Sequence, residues 1–384
     1  MKLRSRSWFE GVSLYSFVHR SWLKSEGFPR DVFEEDKPVI GICNSWSEIT
    51  NCNAHLRQVA EAVKRGVWEA GGFPLEIPTI SLAEPLLKPT AMLHRNLMAM
   101  DVEEMILGNP LDGIVLLCGC DKTTPAQLMG AASADLPAIM VPGGPMLSGH
   151  WKDQEIGSGT DVFRFWDLCR TGRMTEEEYV EIESSMSRSS GHCMVMGTAS
   201  TMTSLAEALG MTLPSCANIP AADSRRMAIA QESGRRAVEL VKEDLRPSRI
   251  MTREAFENAI RVCMAIGGST NAVIHLCAMA GRLDIQLSLE EFDQVSRETP
   301  LLANIKPSGE YLMEDFFYAG GIPALMNEIR ETLHSDAITV TGRSIGDNVA
   351  TAENHNREVI RPISNALSSE GGIAVLKGNL APGG

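Results

Sequence analysis

The sequence predicts an α/β protein in which helices flank parallel sheet, arranged in two lobes, and three observations predict it. Short apolar runs at 39–43, 112–118 and 138–141 have the length of buried strands. Segments with apolar residues at helical spacing separate them, and each run ends in a turn rich in glycine and polar residues. Alternating strands and helices build βαβ units, whose ligands gather at the carboxyl ends of the strands.

Composition bounds the function. The chain has 384 residues, 44% hydrophobic and 22% charged, enough for two or three domains or one large unit with two lobes. With 35 Lys+Arg against 49 Asp+Glu the formal net charge is −14, which argues against nucleic acid, bound through cations that neutralise phosphate. Gly (33) and Pro (19) are near average, which excludes collagen-like and disordered classes. No apolar run approaches the roughly 20 residues that span a bilayer, and the basic start lacks the apolar stretch of a secretion signal, so the expected location is the cytoplasm.

Taken in order, 39–43 reads as a buried strand followed by a polar loop that delivers Cys52. A helix follows from Asn53, with Leu56, Val59, Ala60, Val63 and Val67 on one face and Gly71-Gly72 ending it. Residues 74–80 are a second strand, with Glu84 in the loop beyond it. Residues 112–118 are a third, with 119–125 as its carboxyl-end loop, and 138–141 a fourth, ending at Gly143-Gly144. Thr175 and Glu178 form a capping box in a charged segment, and the charge pattern at 160–185 marks the expected seam between lobes. Gly191-His192-Cys193 and 197–200 lead into a helix that stops at Gly210. Another runs from Arg253 to Ile266, and Ser269-Thr270 cap the one after it. The final residues, 373–384, read as a strand entering a new unit.

Nine cysteines without a CxxC pair argue against a zinc ribbon, a thioredoxin-like motif or a disulfide framework. Cys43, Cys118, Cys263 and Cys277 lie among apolar residues and read as small buried hydrophobes, while Cys169 and Cys216 give no signal. Cys52, Cys120 and Cys193 sit in polar, turn-rich loops, either as packing residues or as three thiolates converging on one metal centre. On an iron–sulfur cluster, three thiolates leave one iron position open for Lewis-acid work. Asp121 and Glu84 are turn and loop carboxylates or Mg²⁺ ligands. Lys122 is an ion-pair partner or, carbamylated by CO₂, an oxygen ligand.

Longer motifs add a resemblance. The segments GCDKTTPAQLMGAASADLPAIMVPGGPML, GHCMVMGTASTM, IGGSTNAVIHL and KPSGEYLMEDF are similar to those of the dihydroxy-acid dehydratase and 6-phosphogluconate dehydratase family. SRSWFEG, FVHRSW and the stretch from Val39 to Leu93 resemble its sugar-acid branch, and Glu84 stands where the branched-chain branch usually has Asp. The resemblance implies a hydro-lyase that converts an aldonate, such as L-arabinonate or D-xylonate, to the 2-keto-3-deoxy acid. It implies a cluster, 2Fe–2S or alternatively 4Fe–4S, on Cys52, Cys120 and Cys193, and Mg²⁺ on Asp121, Glu84 and carbamylated Lys122. Thr198, Ser200, Ser269 and Thr270 are expected substrate contacts, with helix capping as the plainer role of the last two. Gly143-Gly144 could offer backbone N–H groups to the ligand, and His192 a hydrogen bond to the cluster. Residues 1–375 are expected to form the family's N-terminal domain and 376–384 to begin its β-rich C-terminal one. The base serine and a further acidic Mg²⁺ ligand belong to that missing domain, and a homodimer or homotetramer is expected.

Overall fold

A computed structural model describes residues 2–34 and 36–384, and four parallel strands form its centre. Three short helices, α1 (Arg6–Phe9), α2 (Leu14–Lys24) and α3 (Asp31–Glu34), precede the sheet. β1 (Val39–Asn44), β3 (Gly113–Cys118) and β4 (Ala138–Pro142) are buried along their whole length, as strands covered on both faces must be. β2 (Phe73–Pro78) is only partly buried past its second residue and carries Pro74 and Pro78, which an edge strand tolerates. The order is β2-β1-β3-β4, all parallel, with Ile40 paired to Pro74 and Gly113, and Ile114 to Ala138. The outer side of β4 is covered by a crossing segment, Met140 N donating to Met211 O at 2.8 Å.

Right-handed crossovers decide which face each helix takes. α4 (Leu56–Glu69) joins β1 to β2 and covers one face, burying Leu56, Val59, Ala60, Val63 and Val67 as their spacing predicts. α5 (Arg95–Leu107) and α6 (Thr123–Ala134) cross in the opposite direction and pack on each other. A hairpin of β5 (Gly149–Trp151) and β6 (Gln154–Ile156) then supports α7 (Asp161–Arg170) and α8 (Glu176–Met186). This is the segment of the expected seam. It has its own small cluster of Ile156, Phe165, Ile182 and Met186, and the Thr175–Glu178 capping box starts α8.

Beyond it, α9 (Thr198–Ala208) is buried at every position after Thr198 and packs on α6. α10 (Ser224–Glu243) returns to lie along α4, and α11 (Pro247–Ile250) leads to α12 (Arg253–Ala265), which packs against α9. α13 (Asn271–Gly281), α14 (Leu289–Glu298), α15 (Met313–Tyr318), α16 (Gly321–Glu328) and α17 (Ile345–Val349) complete a helical layer that shares one continuous core with the sheet. Among the described residues no helix is long and apolar enough to cross a membrane.

Three expectations about elements change. Thr123-Thr124-Pro125, read as loop, is the first turn of α6, where a proline costs no hydrogen bond because the first N–H groups of a helix have no partner inside it. The strand expected over 74–80 closes at Pro78. Residues 373–384 form no strand: neither outer strand of the sheet pairs with them, and Leu376 and Leu380 are exposed.

Two contacts fix the framework. α4 and α10 approach so closely that a Cβ on Gly66 would lie 1.8 Å from Gln231 O, and one on Gly234 2.2 Å from Val63 O. Glu207 on α9 accepts from Ser215 N (2.7 Å) and Ala217 N (3.0 Å), and burial pushes its carboxyl up to about 7. Gly234→Ala should therefore cost about 1–3 kcal/mol by overpacking, while Gly378→Ala, with nothing within 4 Å, should be nearly neutral in urea unfolding. The folded fold holds the Glu207 proton more tightly than the unfolded chain, whose carboxyl titrates near 4.5. Stability should thus be greatest below pH 4.5 on this account and fall as pH rises toward 7, by at most about 3 kcal/mol. Glu207→Gln should remove that slope, and unfolding free energies measured from pH 5 to 8 check it.

Candidate functional site

β1 hands the chain to β2 on one side and has β3 as its other neighbour, so the crossovers diverge and open a crevice at the carboxyl ends of β1 and β3. Cys52 follows β1 in a single 3-10 turn, Asn51–Asn53, and Cys120 lies two residues past β3. The two loops touch at Gly119, where a Cβ would fall 2.6 Å from Cys52 O. Cys193 comes from farther along the chain, next to His192, which pairs with Pro145 beyond β4.

These three cysteines, all free, line one cavity of about 230 Å³ together with Glu84 and Asp121. A hydrogen bond with Cys120, then burial, pushes the Cys52 thiol well above the usual thiol range. Burial pushes Cys193 up too; the Ser158 hydroxyl beside it opposes this, short of full hydrogen-bond geometry. Cys120 Sγ lies 3.5 Å from Asp121 Oδ1. At the acidic end, Lys122 is 4% exposed, with Nζ 2.9 Å from Asp121 Oδ2 and 3.5 Å from Glu84 Oε2. Burial raises the Asp121 carboxyl, and the Lys122 charge pulls it back only in part. Burial also raises Glu84, but the Thr90 hydroxyl, the Ala91 N–H (2.8 Å) and Lys122 outweigh it and hold that carboxyl low.

The donor chemistry fits the expected groups. Three soft thiols share one buried wall, and two hard carboxylates adjoin it. Ionised without a cation they would repel one another, whereas a bound metal group offsets that repulsion. Among the described residues no three His, Cys, Asp or Glu side chains share the coordination sphere of a single ion. A cluster of several irons does not require this, because its ligands bind different atoms.

The remaining wall is formed by Pro85, Gly159, Thr160, Val195, Gly197, Thr198, Ala199 and Pro307. Thr198 thus stands where expected, its Oγ1 2.8 Å from Ser269 Oγ, so Ser269 reaches the cavity only through Thr198. Ser200 does not line it: its buried hydroxyl turns back onto Val195 O (2.7 Å) and Cys193 O (3.1 Å). Thr270 is exposed and makes no side-chain cap; Ser269 Oγ accepts from Asn271 N instead, at 3.3 Å. Gly143 N is spent on Cys118 O (2.7 Å), so it offers no N–H to a ligand, and Gly144 packs tightly against Ile219. His192 is buried, with Nδ1 3.1 Å from Cys193 O and 3.2 Å from Ser200 Oγ, while its Nε2 has no partner within the protein.

The loop 157–160 and Pro307 were missed by reading the sequence. Asp161 joins them: its carboxylate accepts from Gly157 N at 2.7 Å, Arg164 Nε at 2.9 Å and Lys306 Nζ at 3.1 Å. Burial raises this carboxyl, but those donors outweigh it and hold it below the usual range. The run Gly-Ser-Gly-Thr before a helix-starting Asp was a usable turn signal; nothing local tied Lys306 to it.

Comparison with known proteins places the chain in a family. Residues 37–348 match the model of the dihydroxy-acid/6-phosphogluconate dehydratase N-terminal family. The chain is 57% identical over 385 residues to an L-arabinonate dehydratase of Rhizobium leguminosarum bv. trifolii, covering 100% of this chain and 66% of that one. It is 54% identical over 386 residues to an L-arabonate dehydratase of Azospirillum brasilense, again 100% and 66%. To a D-xylonate dehydratase of Caulobacter vibrioides it is 40% identical over 383 residues, 99% and 64%. It therefore spans about two thirds of the length of these relatives.

Asp161→Asn should lower stability by about 1–3 kcal/mol, since Lys306 and Gly157 N lose a charged acceptor. Urea unfolding measures the loss, and cleavage near 157–160 in limited proteolysis should quicken as the two walls part.

Proposed function

Because the chain belongs to the dihydroxy-acid/6-phosphogluconate dehydratase family, we propose that it serves as an aldonate hydro-lyase, removing water from a 2,3-dihydroxy sugar acid to give the 2-keto-3-deoxy acid. The observation that carries this reading is the gathering of Cys52, Cys120 and Cys193 on one cavity wall beside Asp121, Lys122 and Glu84. The cysteines would hold an iron–sulfur cluster, and Asp121, Glu84 and a carbamylated Lys122 would hold Mg²⁺. Bound there, the cluster supplies a Lewis acid for the C3 hydroxyl, a poor leaving group, and Mg²⁺ supplies charge against the substrate carboxylate and the enediolate.

This chain's own residues shape the site around these groups. Pro85, Val195, Ala199 and Pro307 give the cavity apolar walls that exclude water and strengthen the charges inside it. Thr198, fixed by Ser269, presents a hydroxyl at the wall. The uncarbamylated Lys122 ammonium offsets part of the Asp121 and Glu84 charge; carbamylated, it would add an oxygen ligand, and Mg²⁺ would supply the positive charge that an anionic substrate meets. Holding Mg²⁺, those two carboxylates would leave neither as a free base for the C2 proton.

The test is anaerobic reconstitution with iron, sulfide and Mg²⁺, followed by keto-acid formation from L-arabinonate, D-xylonate and 2,3-dihydroxyisovalerate. Turnover of an aldonate, with Cys120→Ser losing both iron and at least about 1000-fold in rate, is the expected result. Full iron content in Cys120→Ser, or turnover of 2,3-dihydroxyisovalerate alone, would overturn it.

A further inference from the structure

The loop 157–160 is clamped onto the stretch that carries Cys193. Ser158 N donates to Met194 Sδ at 2.9 Å. A Cβ on Gly157 would lie 2.9 Å from Val195 Cγ1, and one on Gly159 closer still to Val195 Cγ2, so loop and stretch pack without a gap. Asp161 anchors the loop from its other end. The Asp161 carboxylate accepts from Gly157 N at 2.7 Å and Lys306 Nζ at 3.1 Å, and Lys306 O accepts from Met196 N at 2.8 Å. Cys193 O is itself held by the Ser200 hydroxyl at 3.1 Å. Loop and cysteine are thus fixed against each other.

In that contact the Ser158 hydroxyl is left over. Its Oγ is buried and has no hydrogen-bond partner of full geometry, which native structures rarely tolerate. It stands beside the Cys193 sulfur, where it is the strongest influence against the upward push of burial on that thiol. A neutral thiol is a weak acceptor, whereas a sulfur bound to iron keeps much of its negative charge and accepts well. The other two sulfurs are placed differently. Cys52 is met by Cys120, and Cys120 Sγ lies 3.5 Å from Asp121 Oδ1, so among the described residues no hydroxyl is bonded to either. One sulfur of the three has a hydroxyl neighbour.

We propose that Ser158 is a positioning residue that donates its hydroxyl proton in a hydrogen bond to the cluster-bound sulfur of Cys193. This rests on the reading of Cys52, Cys120 and Cys193 as iron–sulfur ligands and deepens it. A donor on a ligand sulfur draws charge from it, which leaves the iron a stronger Lewis acid and the cluster easier to reduce. Ser158 is not part of the cavity wall, so it acts through Cys193 and touches neither substrate nor iron. Its buried hydroxyl needs no path to a ligand, because the sulfur is already its neighbour.

The test is the reduction potential of the anaerobically reconstituted cluster, read by electron paramagnetic resonance during titration with dithionite, with iron content measured alongside. Ser158→Ala should keep its iron and become about tenfold harder to reduce, about 59 mV more negative for one electron. Ser158→Thr, which keeps the hydroxyl, should return most of the way to wild type. Electron–nuclear double resonance should find an exchangeable-proton coupling in wild type and Ser158→Thr that Ser158→Ala lacks. Either a potential or a coupling in Ser158→Ala unchanged from wild type overturns the proposal. So does a Ser158→Thr potential shifted as far as that of Ser158→Ala, the result a merely packing role gives. In each of these cases the cluster reading survives. A wild type that assembles no cluster overturns both. Should Ser158→Ala fail to take up iron, Ser158→Val against Ser158→Thr, a pair of equal shape, carries the same comparison.

Discussion

Neighbouring parallel strands whose crossovers leave in opposite directions cannot both be roofed by their own helices. That constraint, between β1 and β3, is what the rest of the molecule depends on. It leaves an uncovered crevice at the strands' carboxyl ends, and the first loops to enter it carry Cys52 and Cys120. Gly119 lets those loops meet, and the third cysteine, with Thr160 and Pro307, arrives from later parts of the chain to close the remaining sides. The sheet sets the place; the helical layer and the hairpin excursion build the walls.

Electrostatics explains why the walls are arranged as they are. On the proposed aldonate reading, a chain with a net charge of −14 must meet its anion with local positive charge, which Mg²⁺ would supply. The Lys122 ammonium, between Asp121 and Glu84, keeps two carboxylates tolerable in a cavity that also raises two thiols. The buried thiols, in turn, gain a reason to ionise only with a metal group present. Apolar packing and acid–thiol chemistry are coupled here: the same burial that forms the cavity holds its thiols protonated.

Much of this was legible in the sequence. Strands covered on both faces are continuous apolar runs, so β1, β3 and β4 could be read within a residue or two, and the face of α4 followed from its spacing. Cys52, Cys120 and Cys193 stood out because polar loops are poor places for a packing thiol. What could not be read depended on distant partners. Ser200 looks like a helix-start hydroxyl, but its direction is set by Val195 O, and Ser269 serves Thr198 rather than the cavity. Thr160 looks like a helix cap, and only the placement of its hydroxyl shows that it is not used as one. The apolar run at 373–384 has strand composition, yet it pairs with neither outer strand of the sheet.

The most direct measurement is Mössbauer spectroscopy of protein reconstituted with ⁵⁷Fe, recorded before and after an aldonate is added. A cluster held by three protein sulfurs would have inequivalent irons, and the signal of the iron with the open position should shift when the sugar acid arrives. Equivalent irons whose spectrum ignores the acid would contradict the account.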